Sequence, residues 1–208
     1  MLYRYLLVTR FTLVNLVAIG LLAACYFQGW LDGMMSAHLV ELSYFIFAVF
    51  LYGLGVCGIK VWRQSVDLND LKTGTPRPDS RAGRFLAQSA GAGPESRTIQ
   101  VDALRLKLTD GIVDVRHVAN SLVLLGLIGT VIGFIIALSG VDPDSAKNAD
   151  NVATMVSTLI NGMSVALYTT LVGAVLHIWL IVNYRILTSG TVDMIAEIIR
   201  LSESRARA

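Results

Sequence analysis

Three threonines, Thr130, Thr169 and Thr170, carry hydroxyl groups inside stretches of sequence that are mostly apolar. In hydrocarbon there is no water to satisfy a hydroxyl, so it bonds to its own helix, bonds to a neighbouring helix or faces a polar path. Tight helix packing and a path for an ion or proton both explain these threonines. The two explanations are compatible, because closely packed faces leave only narrow wet gaps.

Small residues surround the threonines at helical spacing. At 100° per residue, each of the two stretches has one face of small and hydroxylic residues and a bulky aliphatic back. A Gly-x-x-x-Gly spacing, as between Gly129 and Gly133, lets two helix backbones approach closely. We therefore expect a helix-packing or channel face made of Gly126, Gly129, Gly133, Gly162, Ala166 and Gly173.

Charged residues are absent from both stretches. Residues 120–141 and 152–184 contain no Asp, Glu, Lys or Arg. A proton relay through a membrane generally needs an ionisable group, usually a carboxylate. His177, on the small-residue side of the second stretch, could relay protons near neutral pH or simply bond a neighbouring helix. If the chain conducts protons, another subunit must supply the acid.

The composition is that of a membrane protein. Its long apolar stretches define the helices that must position these residues. The 208 residues are 54% hydrophobic and only 15% charged, against roughly 25% charged in soluble domains. A helix of about 20 apolar residues crosses the hydrocarbon core. Four such helices are predicted, and they make the fold an all-α membrane protein with four transmembrane helices: Phe11–Phe27, Leu39–Trp62, Val118–Leu138 and Val156–Val182.

Basic residues predict the orientation and the division of the chain. Of the 17 Lys and Arg, ten lie between Lys60 and Arg116, and the loops after the first and third spans hold one between them. Basic residues collect on the cytoplasmic side, so we expect both termini to be cytoplasmic. We divide the chain into the first two spans (1–62), a cytoplasmic linker and amphipathic helix (63–117), a channel core (118–183) and a cytoplasmic C-terminal helix or tail (184–208).

The cytoplasmic segment differs in amino-acid composition along its length. Thr73 to Thr98 is rich in Pro, Gly and Ser and is predicted to be a flexible linker. From Ile99 an apolar stripe at spacings of three and four predicts an amphipathic helix that runs into the third span as its cytoplasmic extension. Its stripe is Val101, Leu104, Leu108, Ile112 and Val115. A weaker C-terminal stripe consists of Val192, Ile195 and Ile199, with Ile198 as a further candidate.

Cys25 raises an alternative for the N-terminus. Basic residues followed by an apolar run ending in Leu22-Ala23-Ala24-Cys25 are typical of a lipoprotein signal peptide. Three further spans would still hold the chain in the membrane. The only other cysteine is Cys57, so we expect no disulfide framework, metal site or cofactor. We expect no enzyme either, because no nucleophile, base and metal-ligand set converges in the sequence.

The two apolar stretches together resemble a known family. Leu125 to Gly133, LGLIGTVIG, is similar to the LGLLGTVxG signature of the MotA/TolQ/ExbB proton-channel family. Gly162 to Gly173, GMSVALYTTLVG, looks like that family's second signature helix. The resemblance covers Val118 to Val182, and both signatures occur in order.

The resemblance implies a bacterial inner-membrane ion channel and rotary motor, in which a ring-like homo-oligomer, a pentamer, surrounds two copies of a single-span MotB/ExbD/TolR-like partner. That partner carries a membrane aspartate. Thr130 and Thr170 match the family's threonines beside the aspartate, and Thr169 is the next candidate for the ion pathway. The transported ion would be H⁺, with Na⁺ as the alternative. Membrane lipid is the other expected partner, and a net charge of +2 gives no case for nucleic acid.

Topology refines the resemblance. Two spans before the cytoplasmic segment are similar to the flagellar stator type, and Val165 stands where TolQ and ExbB members have a glutamate. The signature helices nevertheless lack the proline of flagellar members, and the cytoplasmic segment is too short to resemble their rotor-contacting domain. The resemblance then fits another motor-like branch, driving envelope transport, gliding or phage defence. A non-conducting membrane scaffold that assembles through its small-residue faces is the alternative from a different class.

Overall fold

The protein folds into long helices. The computed structural model describes residues 6–28, 40–72, 80, 83–85, 94–141 and 149–207. Four helices account for nearly all of these residues: α1 Leu6–Phe27, α2 Val40–Lys72, α3 Pro94–Ser139 and α4 Ala149–Arg207. The all-helical class is therefore confirmed.

Each of the four helices is long and apolar enough to cross a membrane, so the predicted spans are confirmed in number. Their ends differ from the sequence-based boundaries. The first helix begins at Leu6 and includes the exposed Arg10. A long basic side chain at a helix end reaches polar surroundings while its stem stays apolar, so Arg10 does not prevent the earlier start.

The third helix is continuous over 46 residues, which extends the predicted helix in the N-terminal direction. It begins at Pro94, so the last five residues of the predicted linker, 94–98, are helical. Proline suits the first turn of a helix because its fixed φ is already helical and its missing N–H would have no partner there. α2 ends at Lys72, and most of the predicted linker after it lies outside the described residues.

The chain divides into two compact units. The first unit comprises Met1–Val17, Leu54–Arg116 and Val182–Ala208, and the second comprises Ala18–Gly53 and His117–Ile181. Helices α1, α2, α3 and α4 each contribute residues to both units. The predicted channel core, residues 118–183, falls almost entirely in the second unit.

An apolar cluster at the ends of the helices forms one core of the first unit. Leu71 of α2, Leu108 of α3, and Met194 and Ile198 of α4 are buried together. Phe85, from the predicted linker, completes the cluster with only 6% of its surface exposed. The segment was predicted to be a flexible linker without structure of its own, yet it supplies a core side chain.

The predicted C-terminal stripe is confirmed at Ile198, which is fully buried, and at Ile195, which is partly buried against the cluster, but its phase differs elsewhere. Val192 is 60% exposed, whereas Met194 and Ile198 are fully buried. The buried face of α4 continues the line of Leu187 and Thr191, one residue before the predicted positions. The tertiary contact with α2 and α3 therefore determines which face is buried.

Two buried polar contacts connect the helices of the first unit. Asn15 Nδ2 donates to Asn183 Oδ1 at 2.8 Å, and Asn183 is fully buried. The Gln64 side-chain amide contacts α4 one to two helical turns after Asn183. In the orientation that satisfies both amide atoms, its oxygen accepts from the Thr191 backbone N–H at 2.7 Å and its nitrogen donates to the Leu187 carbonyl at 3.2 Å. Such bonds are rare enough in apolar surroundings to fix the register of the helices.

The second unit has an aliphatic and aromatic core. Ile46, Phe50, Leu122 and Leu180 are each at most 1% exposed. The Trp179 ring lies 4.9 Å from the Phe50 ring, centroid to centroid. Gly53 gives α2 a close approach to the same core, because a Cβ there would lie 2.7 Å from side-chain atoms of Val118 and Leu180.

Candidate functional site

The two small-residue faces predicted from the sequence pack directly against each other. They lie on α3 and α4, and both belong to the second unit. The contact is very close at Gly133, where an added Cβ would lie 2.5 Å from the Ala166 backbone nitrogen and 2.6 Å from the Gly162 carbonyl oxygen. Only glycine fits at this position without a shift of one helix. The glycines therefore bring the backbones of α3 and α4 together, as the packing explanation requires.

Thr169 lies in the middle of this contact. Its side chain is fully buried and packs on Gly129. Its hydroxyl bonds to carbonyls of its own helix, at 2.9 Å from Val165 and 3.2 Å from Ala166. The hydroxyl is thus satisfied locally, and the side chain fills the space above a glycine.

Thr170, the next residue, has an exposed side chain at the edge of the contact. Its hydroxyl crosses to the other helix and donates to the Gly126 carbonyl oxygen at 3.2 Å. Gly126 permits this approach, because its Cα hydrogens face the backbone of Thr170 and Gly173. Gly173 in turn lies against Leu122, where an added Cβ would be 2.7 Å from the Leu122 carbonyl oxygen.

Thr130 is half-buried, one helical turn after Gly126. Its hydroxyl donates to the Leu127 carbonyl of its own helix at 2.5 Å. In an α-helix the Thr130 backbone N–H also points at the Gly126 carbonyl. The carbonyl that accepts the Thr170 hydroxyl is therefore in the backbone turn that carries Thr130, and the structure brings these two threonines to one place.

His177 lies farther along the same helix contact and is half-buried. Its Nδ1 is 2.7 Å from the Ala119 carbonyl oxygen on α3. A carbonyl only accepts hydrogen bonds, so Nδ1 carries the hydrogen and a neutral ring keeps Nε2 as an acceptor. The structure thus contains the hydrogen bond to a neighbouring helix, which is the simpler of the two roles expected for this histidine.

The contact extends beyond the residues expected from the sequence. Gly140 faces Thr158, with an added Cβ 2.6 Å from the Thr158 Cγ2. Ala119 is fully buried at the other end. The sequence contains a signal for both Ala119 and Gly140. Small residues recur every seven positions at Ala119, Gly126, Gly133 and Gly140. Small residues at that interval mark one face of a helix.

This arrangement has a limited chemical capacity of its own. It offers hydroxyl groups at Thr130 and Thr170 and an imidazole at His177, in helices that carry no Asp, Glu, Lys or Arg between residues 152 and 184 or between 120 and 141. Hydroxyl oxygens can replace part of the hydration shell of a cation or hold a water molecule. They do not hold a permanent charge. A proton path along these helices would therefore need a carboxylate from another chain.

Comparison with known proteins places this helix pair in a family. Residues 95–199, about half of the chain, match the MotA/TolQ/ExbB proton channel family. Neither the curated proteins nor the solved structures gave a match. The family match contains both small-residue faces and the whole contact between them. With its four apolar helices, this chain is a multi-pass membrane protein that belongs to the MotA/TolQ/ExbB proton channel family.

Proposed function

We propose that the chain is a subunit of an ion channel and motor in the bacterial inner membrane, converting ion-motive force into rotation or mechanical work. Membership of a proton channel family supports this proposal. The observation that carries it is that the Thr170 hydroxyl donates across the α3–α4 contact to the Gly126 carbonyl, in the helical turn that ends at Thr130, whose own hydroxyl donates to the Leu127 carbonyl. The ion is H⁺, with Na⁺ as the alternative.

The hydrogen bonds of the two threonines suit them to this task. A hydroxyl has one hydrogen and two lone pairs. Thr130 and Thr170 both direct the hydrogen to a backbone carbonyl, so their lone pairs remain to accept from water or to contact a cation. Thr169 also bonds to carbonyls, but it is fully buried and has no access to a path.

A partner chain completes the site in this proposal. Because α3 and α4 carry no carboxylate in their apolar stretches, a single-span MotB/ExbD/TolR-like protein supplies a membrane aspartate opposite Thr130 and Thr170. Two copies of that partner stand inside a pentamer of this chain. The distribution of Lys and Arg supports cytoplasmic termini.

A scaffold without ion conduction fits the packing less well. Assembly through the glycine faces would need those faces to be open to other chains. Gly126, Gly129, Gly133, Gly162 and Gly173 are buried, and each faces the opposite helix of the same chain. Their requirement for glycine is thus explained within one subunit.

The decisive experiment removes the hydroxyls and keeps the shape. Thr130→Val and Thr170→Val are made in the full chain and co-reconstituted in vesicles with the proposed aspartate-bearing single-span partner. We expect each variant to assemble normally and to lose most of its proton or sodium flux, measured with an ion-sensitive dye. Thr169→Val is the matched control and keeps its flux. Normal flux in both Thr130→Val and Thr170→Val would refute the ion path and favour the scaffold.

A further inference from the structure

The first unit contains a small cavity that the proposed ion path does not use. The cavity has a volume of about 90 Å³ and lies between α2, α3 and α4. Because a water needs only about 10–15 Å³ of such space, the cavity can hold a group of several heavy atoms. It lies near the end of the predicted second span, where Lys60 is in the last turn and Arg63 follows.

The lining is polar and basic on one side and apolar on the other. Lys60, Arg63 and Gln64 of α2 and Thr191 of α4 contribute the polar side. The apolar side consists of Leu108, Ile112, Leu187 and Met194. Two cations beside an apolar wall match a group that carries a negative charge and continues into hydrocarbon.

Lys60 and Arg63 both have N–H donors that can bind an anion. Lys60 Nζ is 2.8 Å from Asp114 Oδ2, which uses one of the three N–H donors of an ammonium group. Arg63 has an exposed side chain with five N–H donors. Guanidinium groups bind phosphate oxygens through two parallel hydrogen bonds. A phosphate diester therefore fits the basic side, because its oxygens can accept from Arg63 and from the remaining donors of Lys60.

Gly111 gives independent support, because packing does not explain it. Glycine in a helix interior costs about 1 kcal/mol relative to alanine. Most glycines of α3 lie against another helix, but a Cβ added at Gly111 would meet nothing within 4 Å. Gly111 lines the cavity and is exposed. A larger side chain can therefore be introduced beside the cavity without a clash at its Cβ.

From these observations we propose that the cavity binds the phosphate of an anionic membrane phospholipid. Arg63 and Lys60 contact the phosphate, and the ester region lies against Leu187 and Ile112. The apolar wall favours a lipid over free inorganic phosphate. This site is separate from Thr130 and Thr170, so it can be tested without any measurement of ion flux.

The test is lipid binding to the full-length protein in detergent, measured by native mass spectrometry and by thermal stabilisation. Phosphatidylglycerol, phosphatidylcholine and inorganic phosphate are the three ligands. We expect saturable binding of phosphatidylglycerol, weaker binding of phosphatidylcholine and no competition by inorganic phosphate. Equal binding of the two lipids would refute the charge selectivity, and competition by inorganic phosphate would refute the lipid as occupant.

Variants locate the binding. Arg63→Gln removes one charged contact and should weaken phosphatidylglycerol binding about tenfold. Gly111→Leu places a side chain at the cavity and should weaken it similarly. Arg116→Gln removes an equal charge from an exposed position on α3, and Gly55→Leu fills a helical glycine that is also open to space. These two controls should bind as the parent does. Unchanged binding in both Arg63→Gln and Gly111→Leu would overturn the proposal.

Discussion

The hydroxyl of Thr170 donates to the carbonyl oxygen of Gly126 across the contact between α3 and α4, at 3.2 Å. This bond exists because Gly126 has no side chain and the helices approach closely. It places a hydroxyl of one helix beside the turn that carries Thr130 of the other. The packing explanation of the sequence pattern is present in this contact, and the proposed polar path would run along its edge.

Loss of the Thr170 hydroxyl should hardly affect folding. Hydrogen bonds between membrane helices contribute about 0.6 kcal/mol on average, and valine keeps the shape of threonine. We expect Thr170→Val to lower the free energy of unfolding by less than about 1 kcal/mol, measured by denaturant unfolding in detergent. A larger loss would show that the bond is chiefly structural. A flux defect of this variant would then reflect lost folding stability and not a lost ion contact.

Gly133 should be intolerant of even a methyl group. A Cβ there would lie 2.5 Å from the Ala166 backbone nitrogen, so α3 and α4 would have to separate. We expect Gly133→Ala to destabilise the chain by about 1–3 kcal/mol. Gly20→Ala is the control, since nothing lies within 4 Å of its added Cβ, and it should be neutral or stabilising. Thermal unfolding of both variants in one detergent compares them, and equal stability would contradict the close approach.

The Asn15–Asn183 pair should behave as a coupled unit. Asn15→Leu leaves the fully buried amide of Asn183 without its partner on α1, at a cost of about 1–3 kcal/mol. The double variant with Asn183→Leu removes both amides and should recover part of that loss. A double-mutant cycle measures the coupling. Simple additivity of the two single changes would mean that the amides do not stabilise each other.

His177 should tolerate a change that preserves its hydrogen bond. Its Nδ1–H donates to the Ala119 carbonyl, and glutamine can donate from a similar position without titrating near neutral pH. We expect His177→Gln to keep the parent stability and ion flux, and His177→Leu to lose about 1 kcal/mol of stability. Flux that fails in His177→Gln while stability is kept would instead identify the imidazole as a proton relay.

The helix faces that could be predicted are those with strong contrast between small and bulky residues. In α3, the alternation of glycine with large aliphatic residues left only one face that could approach another helix, and that face is buried. The amphipathic stripe of Leu108, Ile112 and Val115 was equally clear, and all three residues are buried.

Other features could not be predicted because the local pattern was ambiguous. Between residues 191 and 201 apolar residues occur on most sides of the helix, so their spacing does not determine the phase, and contacts of Met194 and Ile198 with Leu71 and Phe85 do. Phe85 itself lies in a segment with almost no apolar periodicity. Its burial depends on residues far away in the sequence, which no local period reveals.

The buried stripe of α4 passes through both units at regular intervals of three and four residues. It includes Gly162, Ala166, Thr169, Gly173, Leu176, Leu180, Asn183, Leu187, Thr191, Met194 and Ile198. The stripe runs within a single helix of 59 residues. One inserted residue between Thr170 and Leu176 would turn Leu176 and Leu180 by about 100° away from the core that they share with α3. Seven inserted residues would nearly restore the phase, so the length of this helix is constrained in steps of whole repeats.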